Sequence, residues 1–270
     1  MGHNLAGVSE APDLLNRLVL EARQDLQRRR HLLAPDQLEL AVAAYTPKDF
    51  AGALRGPGLG VIAEMKQRTP TMGVLAEDYS PADLAHAYTD GGAAAISVLT
   101  HMAGFGGRPE HLRIVRAATA LPILRKDFVT DPFEVAEARA CGADAVLLIV
   151  AALEQSGLKD LVAVARSRGI AALVEAHDEE EARRAVDAGA RVVGVNHRDL
   201  RTFAVDLRLT ERVRKVVPSE LVLVAESGIH STEDARRMRE AGADAILVGE
   251  ELMRAPDPAA RIRELTAWSA

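Results

Sequence analysis

One short phrase returns four times along this chain. It reads GGAAAISVL at 91–99, CGADAVLLIV at 141–150, AGARVVGV at 188–195 and AGADAILVG at 241–249. Each copy joins a Gly-Ala turn to a β-branched apolar run. Gly92, Gly142, Gly189 and Gly242 are separated by 50, 47 and 53 residues. Such spacing marks a repeated supersecondary unit. Each of these glycines follows an amphipathic stretch, where a left-handed C-terminal cap favours glycine.

A second set of short apolar runs lies between the copies: LGVIAEMK at 59–66, PILRKD at 122–127, AALVEAH at 171–177 and LVLVAES at 221–227. Helical patterns separate the runs, for example SPADLAHAYTDGG, DPFEVAEARACG and STEDARRMREAG. Several open with Ser or Asp caps and carry acids in the first turn. Strict alternation of helices with almost wholly apolar strands predicts a parallel sheet covered by helices. Eight such units predict an α/β fold, a single (β/α)8 TIM barrel. Residues 10–55 read as two helices ahead of the first strand. The expected organisation is an N-terminal helical extension over 1–55 packed on a catalytic barrel over 56–270. The basic run RQDLQRRRH in the extension reads as a solvated face.

Composition narrows the function classes. The net charge is -6 with both signs mixed, and no basic patch calls for nucleic acid. The single cysteine, Cys141, excludes an intrachain disulfide framework and a cysteine metal cluster. The segment MGHNLAGVSEAPD lacks the pattern of a secretory signal. The longest plain apolar run, AVLLIVAAL, is too short to span a bilayer. A cytoplasmic protein without a membrane partner is expected, monomeric or weakly self-associating.

Charged residues interrupt the apolar runs only near their ends. Glu64 and Lys66 close the first strand, Lys126 the third and Glu175 the fifth. Asn196 and Arg198 close the sixth, and Glu226 and Ser227 the seventh. Active sites in this fold lie at the C-terminal strand ends. Side chains two residues apart share a face, so Glu64 with Lys66, and Asn196 with Arg198, can both aim into the barrel mouth. A buried charge is tolerated when it is paired. Gly228 and Gly249 end the last two strands ahead of helical starts, where backbone N–H groups can approach an anion. Arg198 could add a bidentate clamp. A phosphorylated small molecule is the expected ligand. The sequence holds no HxxxH, CxxC, GxGxxG or Walker loop, and His177, His197 and His230 are scattered, so no metal is expected. Each charge also has a structural reading, as an ion pair at a strand tip. His177 and His230 read as orienting or capping groups.

The phrases VIAEMK, GGAAAISVLT, FGG, PILRKDF, ADAVLLIVA, LVEAHDEEE, GVNHRDL, ESGIH and GADAILVGEELM run in order from about residue 59 to the end. In this register the chain closely resembles the indole-3-glycerol phosphate synthase family of tryptophan biosynthesis. The resemblance implies a lyase that works without cofactor or metal. Its reaction closes the pyrrole ring of 1-(o-carboxyphenylamino)-1-deoxyribulose 5-phosphate, releasing carbon dioxide and water. It implies Lys126 as general acid, Glu175 as acid–base partner, and Lys66 as holder of the substrate carboxylate and acid in dehydration. Glu64 is then a supporting carboxylate or base, and Asn196 and Glu226 position sugar hydroxyls and lysines. Ser227, Gly228, Gly249 and Glu250 are expected on the phosphate with Arg198, and Phe105, Phe128 and Pro70 around the anthranilate ring. The chain departs from the family pattern at Thr69 and Thr71, at Arg108 and Pro109, at His197 and at Glu251. These departures leave open a paralogue acting on a substituted anthranilate. A non-catalytic phosphate-ligand barrel is the remaining alternative.

Overall fold

In a computed structural model, the described residues are 14–32, 34–70, 72–199 and 202–268. Thr71 and the segment MGHNLAGVSEAPD lie outside them. The eight expected strands all form: β1 (Gly60–Met65), β2 (Ala95–Leu99), β3 (Ile123–Lys126), β4 (Ala145–Ile149), β5 (Ala171–Ala176), β6 (Val192–Asn196), β7 (Val222–Glu226) and β8 (Ala245–Val248). They pair in parallel in chain order and close on themselves, with Gly60 of β1 opposite Ala245 of β8. The fold is a TIM barrel.

The apolar runs resolve into two alternating faces, as the two-residue strand period requires. Ile62, Leu124, Leu147, Leu173, Val224 and Leu247 fill the barrel. Val61, Ile96, Val146, Val174, Leu223 and Ile246 face outward and pack beneath the helices. Phe50 and Leu54, just ahead of β1, join the interior cluster, as do Leu15 and Val19 of the N-terminal helix Leu14–Leu32.

The repeated phrase has a structural basis. Gly92, Gly142, Gly189 and Gly242 all have φ between 80° and 91°, the left-handed cap expected of them. In two copies the Asp after the turn anchors the preceding strand. The Asp144 carboxylate accepts the Ile123 N–H at 2.7 Å, and the Asp244 carboxylate accepts the Leu223 N–H at 2.8 Å. Asp144 also accepts from Lys48 N–H and Tyr45 O–H, both at 2.6 Å, and pairs with Arg116 at 3.1 Å. It thereby ties the segment before β1 to the base of the barrel.

One feature of the N-terminal helix differs from expectation. Its basic run is not uniformly solvated. Arg28 is exposed, but Arg29 is mostly buried and bonds Glu137 at 2.9 Å, and Arg30 pairs with Asp131 and lies over the Phe133 ring. The run is a docking face against helix Pro132–Ala140. Behind it Arg125, fully buried on the outer face of β3, bonds Glu137 at 2.7 Å and Asp127 at 3.0 Å. Short elements also form where periodicity gave none: helices Met102–Phe105 and Glu250–Arg254, and a two-residue hairpin of Arg68–Thr69 with Gly73–Val74. Among the described residues no helix is long and apolar enough to cross a membrane.

Candidate active site

The C-terminal strand ends surround a cavity of about 240 Å³. Its floor is the topmost inward layer of the barrel: Glu64, Lys66, Lys126, Glu175, Asn196 and Glu226 all line it. Lower inward layers carry no charge, so the charges appear only where the barrel opens.

The floor is a connected network. Lys126 Nζ donates to Glu175 Oε2 at 2.7 Å and to Glu226 Oε2 at 2.8 Å. Asn196 Nδ2 donates to Glu175 Oε1 at 3.2 Å. Lys66 Nζ donates to Glu64 Oε1 at 2.5 Å. Burial pushes the Lys126 ammonium toward deprotonation, but Glu175, Glu226 and Glu64 outweigh it and hold the pKa well above its ordinary value. Burial alone would raise Glu175. Lys126 and His177 reverse this and leave its pKa far below the usual carboxylate range. Glu226 goes the other way: burial, with the Glu175 charge added, exceeds the pull of Lys126 and raises it. One carboxylate therefore stays ionised while its neighbour tends to hold a proton, the arrangement that separates acid and base roles.

The two sides of the mouth differ. Beyond β2–β4 the wall is apolar, made by Leu99, Phe105, Phe128 and Ile149 together with Pro70 of the first loop. Phe105 and Phe128 lie 6.5 Å apart, and the His101 ring meets Phe128 edge-on at 5.2 Å. Beyond β6–β8 the wall is polar backbone with Arg198, Ser227, Gly228, Gly249 and Glu250. In a ring of eight strands these walls face each other. Ser227 and Gly228 both adopt positive φ, 68° and 72°. For Ser227 this is an uncommon conformation, of the kind found at ligand sites. At Gly249 a Cβ would lie 2.4 Å from Glu64 Oε1 and 2.9 Å from Lys66 Nζ, so the floor pair packs directly over this glycine. Gly249 opens helix Glu250–Arg254 without a side-chain cap, and Glu250 turns back to Arg254 at 3.3 Å.

All fourteen site residues expected from sequence line this one cavity. Two positions invoked for an altered pocket do not. His197 is buried and points away from the mouth, with Nδ1 at 2.9 Å from Ser227 O and Nε2 at 2.7 Å from Thr210 Oγ1. Arg108 is exposed and outside the lining. Glu251 does reach the cavity, but His230 Nδ1 at 2.7 Å and Arg261 at 3.4 Å engage its carboxylate. Sequence reasoning missed Leu14, Leu15 and Leu18 of the N-terminal helix, and Met72 and Phe203 of the flanking loops, all of which line the cavity. The leucine spacing signalled a buried helix face but not what it covers. Among the described residues no group of three His, Cys, Asp or Glu is placed to hold a metal ion.

A model described as indole-3-glycerol phosphate synthase matches residues 15–265. The chain belongs to the indole-3-glycerol phosphate synthase family. "Indole-3-glycerol phosphate synthase 2" of Streptomyces coelicolor is 56% identical over 253 residues, covering 93% of this chain and 98% of that relative. The indole-3-glycerol phosphate synthase of Roseiflexus sp. is 48% identical, covering 95% and 99%. That of Mycolicibacterium smegmatis is 47% identical, covering 93% of each. Solved structures outside the indole-3-glycerol phosphate synthase family share only the fold. Thiamine phosphate pyrophosphorylase of Pyrococcus furiosus superposes with a TM-score of 0.60 at 22% identity, covering 78% of this chain and 95% of that one. A 3-hexulose-6-phosphate synthase gives 0.61 at 17% identity, covering 78% and 100%.

Proposed function

We propose that this chain is an indole-3-glycerol phosphate synthase of tryptophan biosynthesis. It converts 1-(o-carboxyphenylamino)-1-deoxyribulose 5-phosphate to indole-3-glycerol phosphate, carbon dioxide and water. The observation that carries the reading is Lys126, held between Glu175 and Glu226 on the floor of a cavity with one apolar wall and one glycine-lined wall. The aryl group sits between Phe105, Phe128 and Pro70. The phosphate sits against the backbone of Ser227, Gly228, Gly249 and Glu250, with Arg198 as cation.

The chemistry is a series of proton transfers. Lys126 gives a proton to the ketose carbonyl oxygen as the aromatic carbon bearing the carboxylate attacks the carbonyl carbon. Loss of carbon dioxide returns its bonding electrons to the ring. The new hydroxyl then leaves as water, with Lys66 as proton donor and Glu175 as the base that takes the proton released. Glu64 holds Lys66, and Asn196 and Glu226 hold Glu175, Lys126 and the sugar hydroxyls. Phosphate anchoring far from the reacting carbons supplies the orientation that makes ring closure effectively unimolecular.

The purified chain mixed with this substrate, without added metal, is expected to yield indole fluorescence and a product of the mass of indole-3-glycerol phosphate. Saturable binding without product would reject the catalytic reading. Two variants test the assignments. Arg198→Ala is expected to weaken substrate binding with little change in kcat. A fall in kcat at unchanged binding would remove Arg198 from the phosphate. Gly249→Ala puts a Cβ against the ends of Glu64 and Lys66 and shifts them, and a misplacement near 1 Å costs about 10²-fold in turnover. Wild-type turnover in that variant would show that the reaction does not depend on the exact placement of the pair.

A further inference from the structure

His177 follows β5 at the strand end, two residues beyond Glu175. Side chains so spaced share a face, and the His177 ring is mostly buried beside the floor rather than splayed into solvent. Its Nε2 lies 3.4 Å from Glu175 Oε1, and its Nδ1 lies 3.1 Å from Glu181 Oε2. The same Glu181 oxygen accepts the His177 backbone N–H at 2.7 Å. Glu181 is itself fixed in the first turn of helix Glu179–Asp187, where its N–H bonds the Asp178 cap at 2.7 Å. The ring is thus fixed by the hydrogen bond at Nδ1, which leaves Nε2 facing Glu175. His177 Nε2 is buried and makes no hydrogen bond, with the Glu175 carboxylate 3.4 Å away as its ionic neighbour.

We infer that His177 is a positioning residue for the base: it anchors the Glu175 carboxylate from the side opposite Lys126 and keeps it ionised for proton abstraction. The inference rests on the synthase reading above. Four groups meet Glu175 from four elements: Lys126 from β3, Asn196 from β6, Glu226 from β7 and His177 from the end of β5. Two of them are cations or proton donors held by further carboxylates. When substrate draws Lys126 toward the ketose oxygen, Glu175 loses its strongest cationic partner, and His177 remains. Burial works against a charged imidazole, but Glu175 and Glu181 outweigh it and raise His177 to about 10.

The test compares wild type with His177→Gln on the same substrate across pH. An opposite charge within about 4–6 Å lowers a carboxyl pKa by roughly 1–3 units. Its removal should therefore move the acidic limb of kcat upward by about one pH unit, with KM little changed. Glu181→Gln, which leaves His177 in place, should move it the same way by less. An acidic limb that stays fixed in His177→Gln, even with reduced activity, overturns the inference.

A second measurement does not depend on turnover. His177 is raised from 6.5 to about 10 on folding. Its stabilisation is therefore complete below about pH 6.5 and is lost as pH rises through about 10. The Tm difference between wild type and His177→Gln should narrow over that window. A Tm difference independent of pH overturns the paired imidazolium. A narrowing difference with no turnover in wild type means that the ion pair exists and the synthase reading has failed, and the inference about a base fails with it.

Discussion

Lys126→Met is expected to lower kcat by about 10²–10⁴-fold, the range that general acid–base groups supply. Affinity for a phosphorylated product analogue should survive, because the phosphate wall lies across the mouth from β3. A loss confined to kcat marks an interaction made in the transition state. Near-normal turnover would reject the general-acid role. The variant also has a stability signature. Without Lys126, Glu175 and Glu226 face each other in a buried site. Glu175 is still faced by His177, so burial and repulsion from Glu175, no longer offset by the ammonium, push Glu226 further above the ordinary carboxylate range, and it takes up a proton. A carboxyl raised on folding stabilises below its unfolded pKa, and that contribution is lost as pH rises through the folded value. The Tm of Lys126→Met relative to wild type should therefore fall from acidic to neutral pH. A difference that is flat over this range would show that water replaces the ammonium.

The second large effect concerns the outside of the barrel. Arg125→Met should destabilise the fold by about 3–5 kcal/mol, because it leaves buried acids without their cation. Arg125 is fully buried, and Asp127, Glu137, Thr100 Oγ1 and the Glu134 carbonyl all accept from it. For a chain of this size the loss corresponds to a Tm lower by roughly 10 °C. Denaturant and thermal unfolding would measure it. A cost below about 1 kcal/mol would mean that Arg29, already on Glu137 at 2.9 Å, takes over the pairing.

Legibility in the sequence followed the range of the interactions. The strands were readable because each is a short apolar run, and the repeated glycine cap marks four of them, both local signals. The floor residues were readable because a charge two residues from another, at the end of an apolar strand, has few places to go. Partners distant in sequence were not readable. Arg29 looked like any solvated arginine, and its partner Glu137 lies on another helix. His177 and His197 both follow strand ends, but at different spacing from the inward-facing residue, Glu175 or Asn196. One faces Glu175, and the other turns outward to Thr210. Their direction follows strand parity, since His177 lies two residues past inward-facing Glu175 and His197 only one past inward-facing Asn196. Leu14, Leu15 and Leu18 announced a buried face, but only the docked helix reveals that the face covers the cavity. The helix at Met102–Phe105 spans four residues, too few for periodicity to register.

The anchoring carboxylates at the base of the barrel give the molecule an approximate internal twofold. Arg116 lies over Gly142 and grips the Thr119 and Leu121 carbonyls, while Asp144 holds Ile123 N–H. Half a turn away, Arg214 lies over Gly242 and grips the Val217 and Pro218 carbonyls, while Asp244 holds Leu223 N–H. The β3–β4 and β7–β8 units are therefore the same clasp built twice, on opposite sides of one axis. What differs is the upper rim: phenylalanine above one unit, bare backbone above the other. On the proposed reading, a single elongated substrate bridges the axis, ring over one half and phosphate over the other. Aryl preference and phosphate grip then reside in separate halves of a matched pair. Either rim can be rebuilt while the other, and the shared base beneath both, stays as it is.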